Sequence, residues 1–176
     1  MLYIFLLIFI IFFTILAIIY KKRSQKQSDT LIVSPKSIDQ NILIELAKLE
    51  KNLYKQGFTR YSIVKINSIT SKVTLFYYYN YIDNIHTFIA YYKGEFIYFI
   101  VTIYKNGKIL VSPSNYQYIK KSNKIMFIYN EDGALIDDIL QIHKSNRESI
   151  NYEPTEAKLT NNEILKIYNS ISKIGA

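Results

Sequence analysis

The chain has 176 residues, of which 49% are hydrophobic, and its 22 Lys and Arg residues outnumber 14 Asp and Glu residues. This length favours one compact domain, and the apolar and aromatic content excludes an intrinsically disordered chain. The absence of cysteine excludes a disulfide framework, a thiolate zinc site and a cysteine nucleophile. With only two histidines, His86 and His143, a histidine-rich metal site is not expected, and we predict no cofactor.

The first twenty residues form an apolar run without a charged side chain. Twenty helical residues span about 30 Å, which is the thickness of the hydrocarbon core of a bilayer. A buried core helix is disfavoured because a helix that is apolar on every side is rare in so small a soluble domain. A cleaved signal peptide is disfavoured because no basic residue precedes the run and no small-residue cleavage site follows it. We therefore predict a transmembrane anchor over residues 1–20.

A basic tether over residues 21–36 follows the predicted anchor. The membrane-proximal basic residues are Lys21, Lys22, Arg23 and Lys26. Basic residues beside a span stay on the cytoplasmic side, so we predict a single-pass protein of the cell membrane whose soluble domain, residues 37–176, is cytoplasmic. Residues 31–176 carry 18 basic against 13 acidic residues, which favours membrane lipid with an anionic surface as a partner.

The soluble domain is expected to begin with a helix and continue as strands. Ser37 and Gln40 fit a capping box, and apolar residues then recur at helical spacing from Ile38 to Leu53 before Gly57 closes the helix. The following β-branched and aromatic residues, broken by short turn signals, are typical of strands. The predicted strands are 61–69, 72–81, 86–92, 95–104, 108–113 and 124–129. Because the breaks are short, neighbouring strands should be antiparallel and form a meander.

Two further helices are predicted in the C-terminal part of the chain. Residues 133–146 carry apolar side chains at helical spacing, and Thr160 and Glu163 form a second capping box. An apolar triplet at residues 31–33, within the tether, is a candidate edge strand. The predicted fold class is α+β, with an N-terminal transmembrane helix followed by an antiparallel β-meander of five to six strands packed with two to three helices.

The strands over 72–81 and 95–104 are apolar on both faces, whereas a meander with one wet face should alternate apolar and polar residues. Either helices cover both faces, or the sheet curls around a core, or one aromatic face binds a ligand or partner. Tyrosine is enriched in contact surfaces, so the third alternative makes the tyrosine-rich strands a candidate binding surface. Its candidate residues are Tyr77, Tyr79, Tyr81, His86 and Tyr98.

The sequence has no G-x-x-x-x-G-K-[ST] or G-x-G-x-x-G phosphate-binding loop, no H-E-x-x-H and no EF-hand loop. Asp132 and Asp137 flank a helix start, where acidic side chains complement the helix dipole, and His143 is interpreted as a structural residue. The basic run over residues 119–124 is interpreted as a solvated connection, and the basic-aromatic consensus of RNA-binding sheets is missing. We therefore lean against an enzyme, assign no catalytic or metal-binding residue, and expect no nucleic-acid partner.

Three motifs carry a resemblance to known proteins. They are Leu49 with Gly57-Phe58 at the end of a helix, the Asn-Gly hairpin within residues 104–112, and a late helix with the single His143. In this outline the chain resembles a loosely defined group of uncharacterised bacterial proteins, several of which carry an N-terminal membrane span. The resemblance covers residues 45–145 and implies a bacterial, membrane-anchored, small α+β domain. It implies no activity.

Three functions stay open at this point. The first, which the tyrosine-rich strands favour, is a membrane-anchored, non-enzymatic binding or scaffolding module with a protein partner at the membrane. The second is a small-ligand or lipid-binding domain with the ligand inside the curled sheet, which requires a cavity of about 300 Å³ or more. The third, an enzyme, requires a cleft that combines His86 or His143 with a carboxylate.

Overall fold

The computed structural model describes residues 9–15, 29–67, 72–128 and 134–174. Residues 9–15 form helix α1, and the rest of the predicted anchor lies outside the described residues. Within those ranges, no helix has both the length and the hydropathy that a membrane crossing requires. The basic residues predicted beside the membrane also lie outside the described residues: Lys21, Lys22, Arg23 and Lys26.

The described residues contain seven strands in one sheet, and strands that are neighbours in the sheet are also neighbours in the sequence. The strands are β1 (Asp29–Ile32), β2 (Phe58–Asn67), β3 (Lys72–Asn80), β4 (Ile85–Tyr92), β5 (Glu95–Ile103), β6 (Ile109–Pro113) and β7 (Ile125–Phe127). All neighbouring pairs are antiparallel except β6 and β7. The α+β class is thus confirmed, as is the antiparallel meander from β2 to β6.

The sheet departs from the prediction at both edges. β1 forms within the predicted tether, where the apolar triplet indicated an edge strand, and brings the number of strands above five or six. β7 runs parallel to β6, with Ile125 opposite Ile109. The segment between them, which contains the 3-10 turn Tyr116–Tyr118, carries the chain back to the end of the sheet where β6 begins. The prediction of a wholly antiparallel sheet is therefore wrong at β7.

Three helices pack on this sheet, which agrees with the predicted number of two to three. They are α2 (Gln40–Lys55), α3 (Ile136–Glu148) and α4 (Asn161–Ile171). The predicted capping box at the start of α4 is confirmed, because the Thr160 side chain accepts the Glu163 N–H while the Glu163 carboxylate accepts the Thr160 N–H. These two contacts satisfy backbone donors that the first turn of a helix leaves free.

The start of α2 differs from the prediction. Its cap is Asp39, whose Oδ1 accepts the Asn41 N–H over 2.8 Å. Ser37, the predicted cap, instead ends the 3-10 turn Pro35–Ser37, and its hydroxyl donates to the Ser34 carbonyl. Asp39 lies closer than Ser37 to the first α-helical residue, and a carboxylate also complements the positive end of the helix dipole.

Helices cover both faces of the sheet, which decides between the alternatives for the apolar strands. On one face, α4 packs through Tyr168 against Phe88 and Phe99, with ring centroids 6.3 and 5.9 Å apart. On the other face, α2 and α3 pack against strand residues such as Phe76 and Ile89. Each large side chain buried in this way stabilises the fold by about 1.5–3 kcal/mol. The central strands are apolar on both sides because they form the middle of three layers.

A buried carboxylate on α2 joins that helix to the sheet. Glu50 Oε1 accepts hydrogen bonds from Tyr54 Oη at 3.0 Å, Tyr78 Oη at 2.8 Å and Arg60 Nη1 at 2.7 Å. Burial, followed by the negative charge of Glu50, raises the pKa of the Tyr78 hydroxyl well above its usual range. Tyr78 therefore remains a neutral donor. The contacts with Arg60 on β2 and Tyr78 on β3 hold α2 against the sheet, whereas the contact with Tyr54 lies within the helix.

The two ends of the sheet differ in their relation to the N-terminal segment. The chain enters the sheet at Asp29, and the β2–β3 and β4–β5 connections lie at this same end, which we call the proximal end. The β3–β4 and β5–β6 turns lie at the opposite, distal end. Lys65 donates to the Ser37 carbonyl just before α2, whereas Lys144, late in α3, pairs at 2.7 Å with Asp83 in the distal β3–β4 turn. Both helices therefore begin on the proximal side.

Candidate functional site

A groove at the proximal end of the sheet has a volume of about 440 Å³, within the range of ligand pockets. It lies between the start of α2 and the proximal ends of β2, β3 and β4. Its lining includes three lysines, Lys65, Lys72 and Lys93, and the apolar parts of Ile38, Ile42 and Tyr91. We call it the lysine groove.

Strand register brings the lysines of this groove together. Thr74 on β3 pairs with Lys65 on β2 and with Tyr91 on β4. Lys72 lies two residues before Thr74, so both side chains point to the same face of the sheet. Lys93 lies in the β4–β5 turn at φ 52°, a left-handed conformation that tight turns require and that few side chains adopt. Residues from three separate segments thus converge on one end of one face.

The charge of the lysine groove is positive. The ion pairs within the described residues join Arg60 to Glu50, Lys105 to Glu153 and Lys144 to Asp83, so none of them neutralises a groove lysine. Among the described residues that line the groove, Asp39 is the one carboxylate, and its Oδ1 is engaged in capping α2. The positive end of the α2 dipole adds to the charge of the three lysines. This combination of charges suits an anionic ligand.

A second cavity, of about 340 Å³, lies on the same face between α2, the start of α3 and β5. We call it the aromatic pocket, and its lining includes Leu49, Phe96, Tyr98, Ala134, Leu135 and Glu95. The Phe96 ring packs against Tyr91 of the lysine groove with centroids 5.0 Å apart. The two cavities are therefore neighbours, and each contributes one ring to this packed pair.

Three of the five residues predicted as a contact surface lie in the core on the α4 side. Tyr77, Tyr79 and His86 are each at most 1% exposed. The His86 ring stacks on both tyrosines, with centroids 6.0 Å from Tyr77 and 4.8 Å from Tyr79. The open aromatic face that the sequence allowed is covered by α4, so these side chains do not face a partner directly.

The surroundings of His86 disfavour its charged form. Its Nδ1 lies 2.8 Å from Tyr77 Oη, which accepts the Leu159 N–H at 3.0 Å and can donate its own proton to the histidine. Burial lowers the pKa of His86 to about 4. Its Nε2 is buried and has no hydrogen-bond partner within the described ranges. The group therefore acts as a neutral ring in an aromatic stack.

The other two predicted surface residues lie far apart. Tyr81 is 55% exposed beside the distal β3–β4 turn, and its ring contacts Tyr79 at 4.8 Å. Tyr98 is half-buried and lines the aromatic pocket, where burial raises the pKa of its hydroxyl. The structure thus places the five predicted residues in three settings, and only Tyr98 lines a cavity described above.

His143 on α3 lies between two hydroxyl groups of the sheet. Its Nε2 is 2.9 Å from Thr102 Oγ1 and its Nδ1 is 2.8 Å from Ser112 Oγ, and all three residues are fully buried. Burial, followed by the charge of Arg147, lowers the pKa of His143 to about 3. Neither histidine has a carboxylate among its hydrogen-bond partners in the part of the chain described. Both contacts of His143 fix α3 on β5 and β6, in agreement with the interpretation of a structural residue.

No group of three or more His, Asp or Glu side chains in residues 9–15, 29–67, 72–128 and 134–174 could hold a metal ion. Comparison of the chain with protein-family models, with curated proteins and with solved structures finds no match. The lysine groove and the aromatic pocket are therefore the features on which a function can be proposed.

Sequence reasoning did not identify the groove lysines. Lys65 and Lys72 lie in or at the start of predicted strands, and Lys93 lies in a predicted turn, where an exposed lysine is ordinary. A signal was present in the alternation of β2 and β3, which places Lys65 and Lys72 on one face once the pairing is known. The contribution of α2 and of the β4–β5 turn depends on packing that the sequence pattern does not specify.

Proposed function

We propose that the chain is a membrane-anchored, non-enzymatic binding module whose lysine groove contacts the anionic headgroups of the bilayer. In this proposal residues 1–20 cross the membrane once and residues 21–28 connect the span to β1. The folded domain lies on the cytoplasmic side, because the basic residues follow the span. Membrane lipid is the principal partner, and the groove is the surface that meets it.

The N-terminal segment supports the anchor. The apolar side chains of α1 are each at least 50% exposed: Phe9, Ile10, Ile11, Phe12, Phe13 and Ile15. Contiguous apolar surface of this kind is rare on soluble proteins, and lipid would cover it on every side of the helix. The surrounding run of twenty residues carries no charge and has the length of one span.

The observation that carries the proposal is the place where the chain enters the sheet. β1 begins at Asp29, and Asp29 pairs with Asn67, which lines the lysine groove. The segment that joins residue 20 to Asp29 reaches at most about 30 Å when fully extended. The groove therefore lies at the end of the domain nearest the proposed span, and a short tether keeps it close to the bilayer.

Electrostatic attraction between the groove lysines and anionic headgroups would hold the groove at the membrane surface. A basic residue near an anionic leaflet contributes about 1 kcal/mol, so the three groove lysines together contribute about 3 kcal/mol. The basic residues of the tether add to this attraction. Because the Debye length is about 8 Å at physiological salt, the lysines contribute only when the groove lies against the headgroups. Contact should therefore depend on both anionic lipid and ionic strength.

The test measures how close each end of the domain comes to the lipid. The chain has no cysteine, so a single Lys36→Cys or Ile82→Cys variant carries one fluorophore, near the groove or at the distal end respectively. The full chain is reconstituted in phosphatidylcholine vesicles with or without phosphatidylglycerol, and a headgroup-attached nitroxide quenches nearby fluorophores. We expect phosphatidylglycerol to increase quenching at position 36 and to leave quenching at position 82 low.

Matched triple variants identify the charges responsible. Replacing Lys65, Lys72 and Lys93 by Gln should return quenching at position 36 to the level seen in neutral vesicles. The control replaces three lysines at the distal side, Lys55, Lys108 and Lys124, and removes the same total charge. Equal effects of the two triple variants would contradict the proposal, as would quenching that is independent of phosphatidylglycerol. Release of the full chain from vesicles by an alkaline wash would contradict the anchor.

A further inference from the structure

We propose that the lysine groove and the aromatic pocket together hold one anionic phospholipid, with the headgroup phosphate at the lysines and one acyl chain in the pocket. This inference rests on the proposed function and names the ligand of the same site. Such a module would bind an individual lipid molecule in addition to contacting the charged membrane surface. The bilayer beside the proximal end is the source of the lipid.

The first argument is the adjacency of the two cavities. Tyr91 lines the groove, Phe96 lines the pocket, and these residues form a cross-strand pair on β4 and β5. Their ring centroids lie 5.0 Å apart, so the two linings adjoin at an apolar surface formed by this pair of rings. The groove also contains apolar carbons of Ile38 and Ile42. A ligand with one charged end and one apolar end would find matching surfaces in sequence along this face.

The second argument is the separation of charge between the cavities. The groove lining contains three lysines, whereas the described residues that line the aromatic pocket include no Lys or Arg and one charged residue, Glu95. A phosphate is therefore attracted to the groove and repelled from the pocket. The pocket instead offers the side chains of Leu49, Phe96 and Leu135 to an apolar group. This difference fixes which end of an amphiphile enters which cavity.

The third argument is the exposure of the pocket rim. Leu135 is 71% exposed, although it follows Ala134 and precedes a helix whose first residue, Ile136, is 3% exposed. An exposed leucine alone needs no explanation, but this one borders a cavity of about 340 Å³ lined by aromatic rings. An acyl chain in the pocket would cover it. Volumes of about 340 and 440 Å³ both lie in the range of small-molecule sites.

The experiment uses the full chain in a neutral detergent and measures lipid binding by native mass spectrometry. The probes are dioleoyl phosphatidylglycerol, dioleoyl phosphatidylcholine and inorganic phosphate. We expect one phosphatidylglycerol to bind, phosphatidylcholine to bind at least tenfold more weakly, and inorganic phosphate not to compete. Competition by inorganic phosphate at a concentration similar to that of the lipid would overturn the inference, because the acyl chain would then add nothing.

The variant that isolates the pocket is Leu135→Asn. Leu135 is the cap of α3 and makes no side-chain capping bond, so asparagine, a favoured cap residue, should preserve the helix while making the pocket rim polar. We expect this change to weaken phosphatidylglycerol binding about tenfold, since it removes one leucine from the apolar contact. The control, Ile82→Asn, removes an 86% exposed apolar side chain at the distal end and should leave binding unchanged.

The outcomes separate the two proposals. Loss of binding in the lysine triple variant with unchanged binding in Leu135→Asn would overturn the acyl-chain assignment and leave the proposed function standing. Unchanged binding in both would overturn both proposals. A phosphatidylglycerol analogue with a photoreactive acyl chain gives a direct readout, with crosslinks expected at Phe96, Tyr98 or Leu135. Crosslinks confined to residues 1–20 would count against the inference.

Discussion

The two buried histidines predict that the fold loses stability in mild acid. Burial lowers the pKa of His86 to about 4 and, together with Arg147, that of His143 to about 3. In the unfolded chain both groups return to an ordinary value near 6.5. Between these values the unfolded chain binds more protons than the folded chain, so the free energy of unfolding falls as the pH falls.

The size of the effect follows from these pKa values. Lowering the pH from 7 to 5 protonates each histidine in the unfolded chain while leaving it mostly neutral in the folded chain. Each histidine then removes about 2 kcal/mol from the free energy of unfolding, and the two together remove about 4 kcal/mol. Typical domains have about 5–15 kcal/mol of stability in total, so a loss of this size is readily measured.

The assay is urea unfolding of the full chain in neutral detergent at pH 7, 6 and 5, followed by tyrosine fluorescence and circular dichroism. His86→Phe keeps an aromatic ring in the stack with Tyr77 and Tyr79 but cannot titrate. Whatever its stability at pH 7, this variant should lose about half as much between pH 7 and pH 5 as the natural chain does. Titration of the carboxylates changes the free energy of unfolding equally in the natural chain and in the variant, so it cancels when the two losses are compared.

Two results would refute the reasoning. The first is the same loss of stability from pH 7 to pH 5 in the natural chain and in His86→Phe. The second comes from proton NMR, where two histidines give two resolvable Cε1–H signals. A signal that titrates near pH 6.5 in the folded protein would mean that the corresponding ring is accessible to protons, contrary to the burial of His86 and His143.

Two further changes test contacts that hold helices in place. Glu50→Gln removes the charge that accepts three hydrogen bonds and should lower the free energy of unfolding by about 2 kcal/mol, measured by urea unfolding. The control, Glu45→Gln, changes an exposed residue of the same helix and should alter the free energy of unfolding little. Thr160→Ala breaks the capping box with Glu163 and should remove about 1 kcal/mol, with a lower melting temperature by circular dichroism, while Thr160→Ser should restore most of it.

Much of the fold follows from local sequence patterns, and the exceptions have physical causes. The antiparallel order of β2 to β6 was predicted because a short connection can join only antiparallel neighbours. The parallel direction of β7 was not predicted, because it depends on the path of the longer connection before this strand, which contains the 3-10 turn Tyr116–Tyr118. The cap of α2 was misassigned because Ser37 and Asp39 are both good cap residues two positions apart.

The candidate site was harder to predict than the fold. Periodicity showed that the central strands are apolar on both faces, but it could not tell a helix from a partner as the cover. Tyr77 and Tyr79 therefore entered the predicted surface and lie in the core. Lys65, Lys72 and Lys93 converge through strand register and a turn of positive φ, which are tertiary properties. Tyr98 is the one predicted residue that lines a described cavity.

The position of α4 in the chain has a consequence for protein synthesis. One face of the sheet, with Phe88, Phe99 and their neighbours, packs against α4, which is translated after every strand. From Phe127 to Asn161 the ribosome adds 34 residues, which takes about 2 to 7 s at about 5–20 residues per second. A sheet that forms during that interval would present this aromatic face without α4. The nascent chain is then most exposed to aggregation, and a chaperone or the membrane itself would be best placed to shield it.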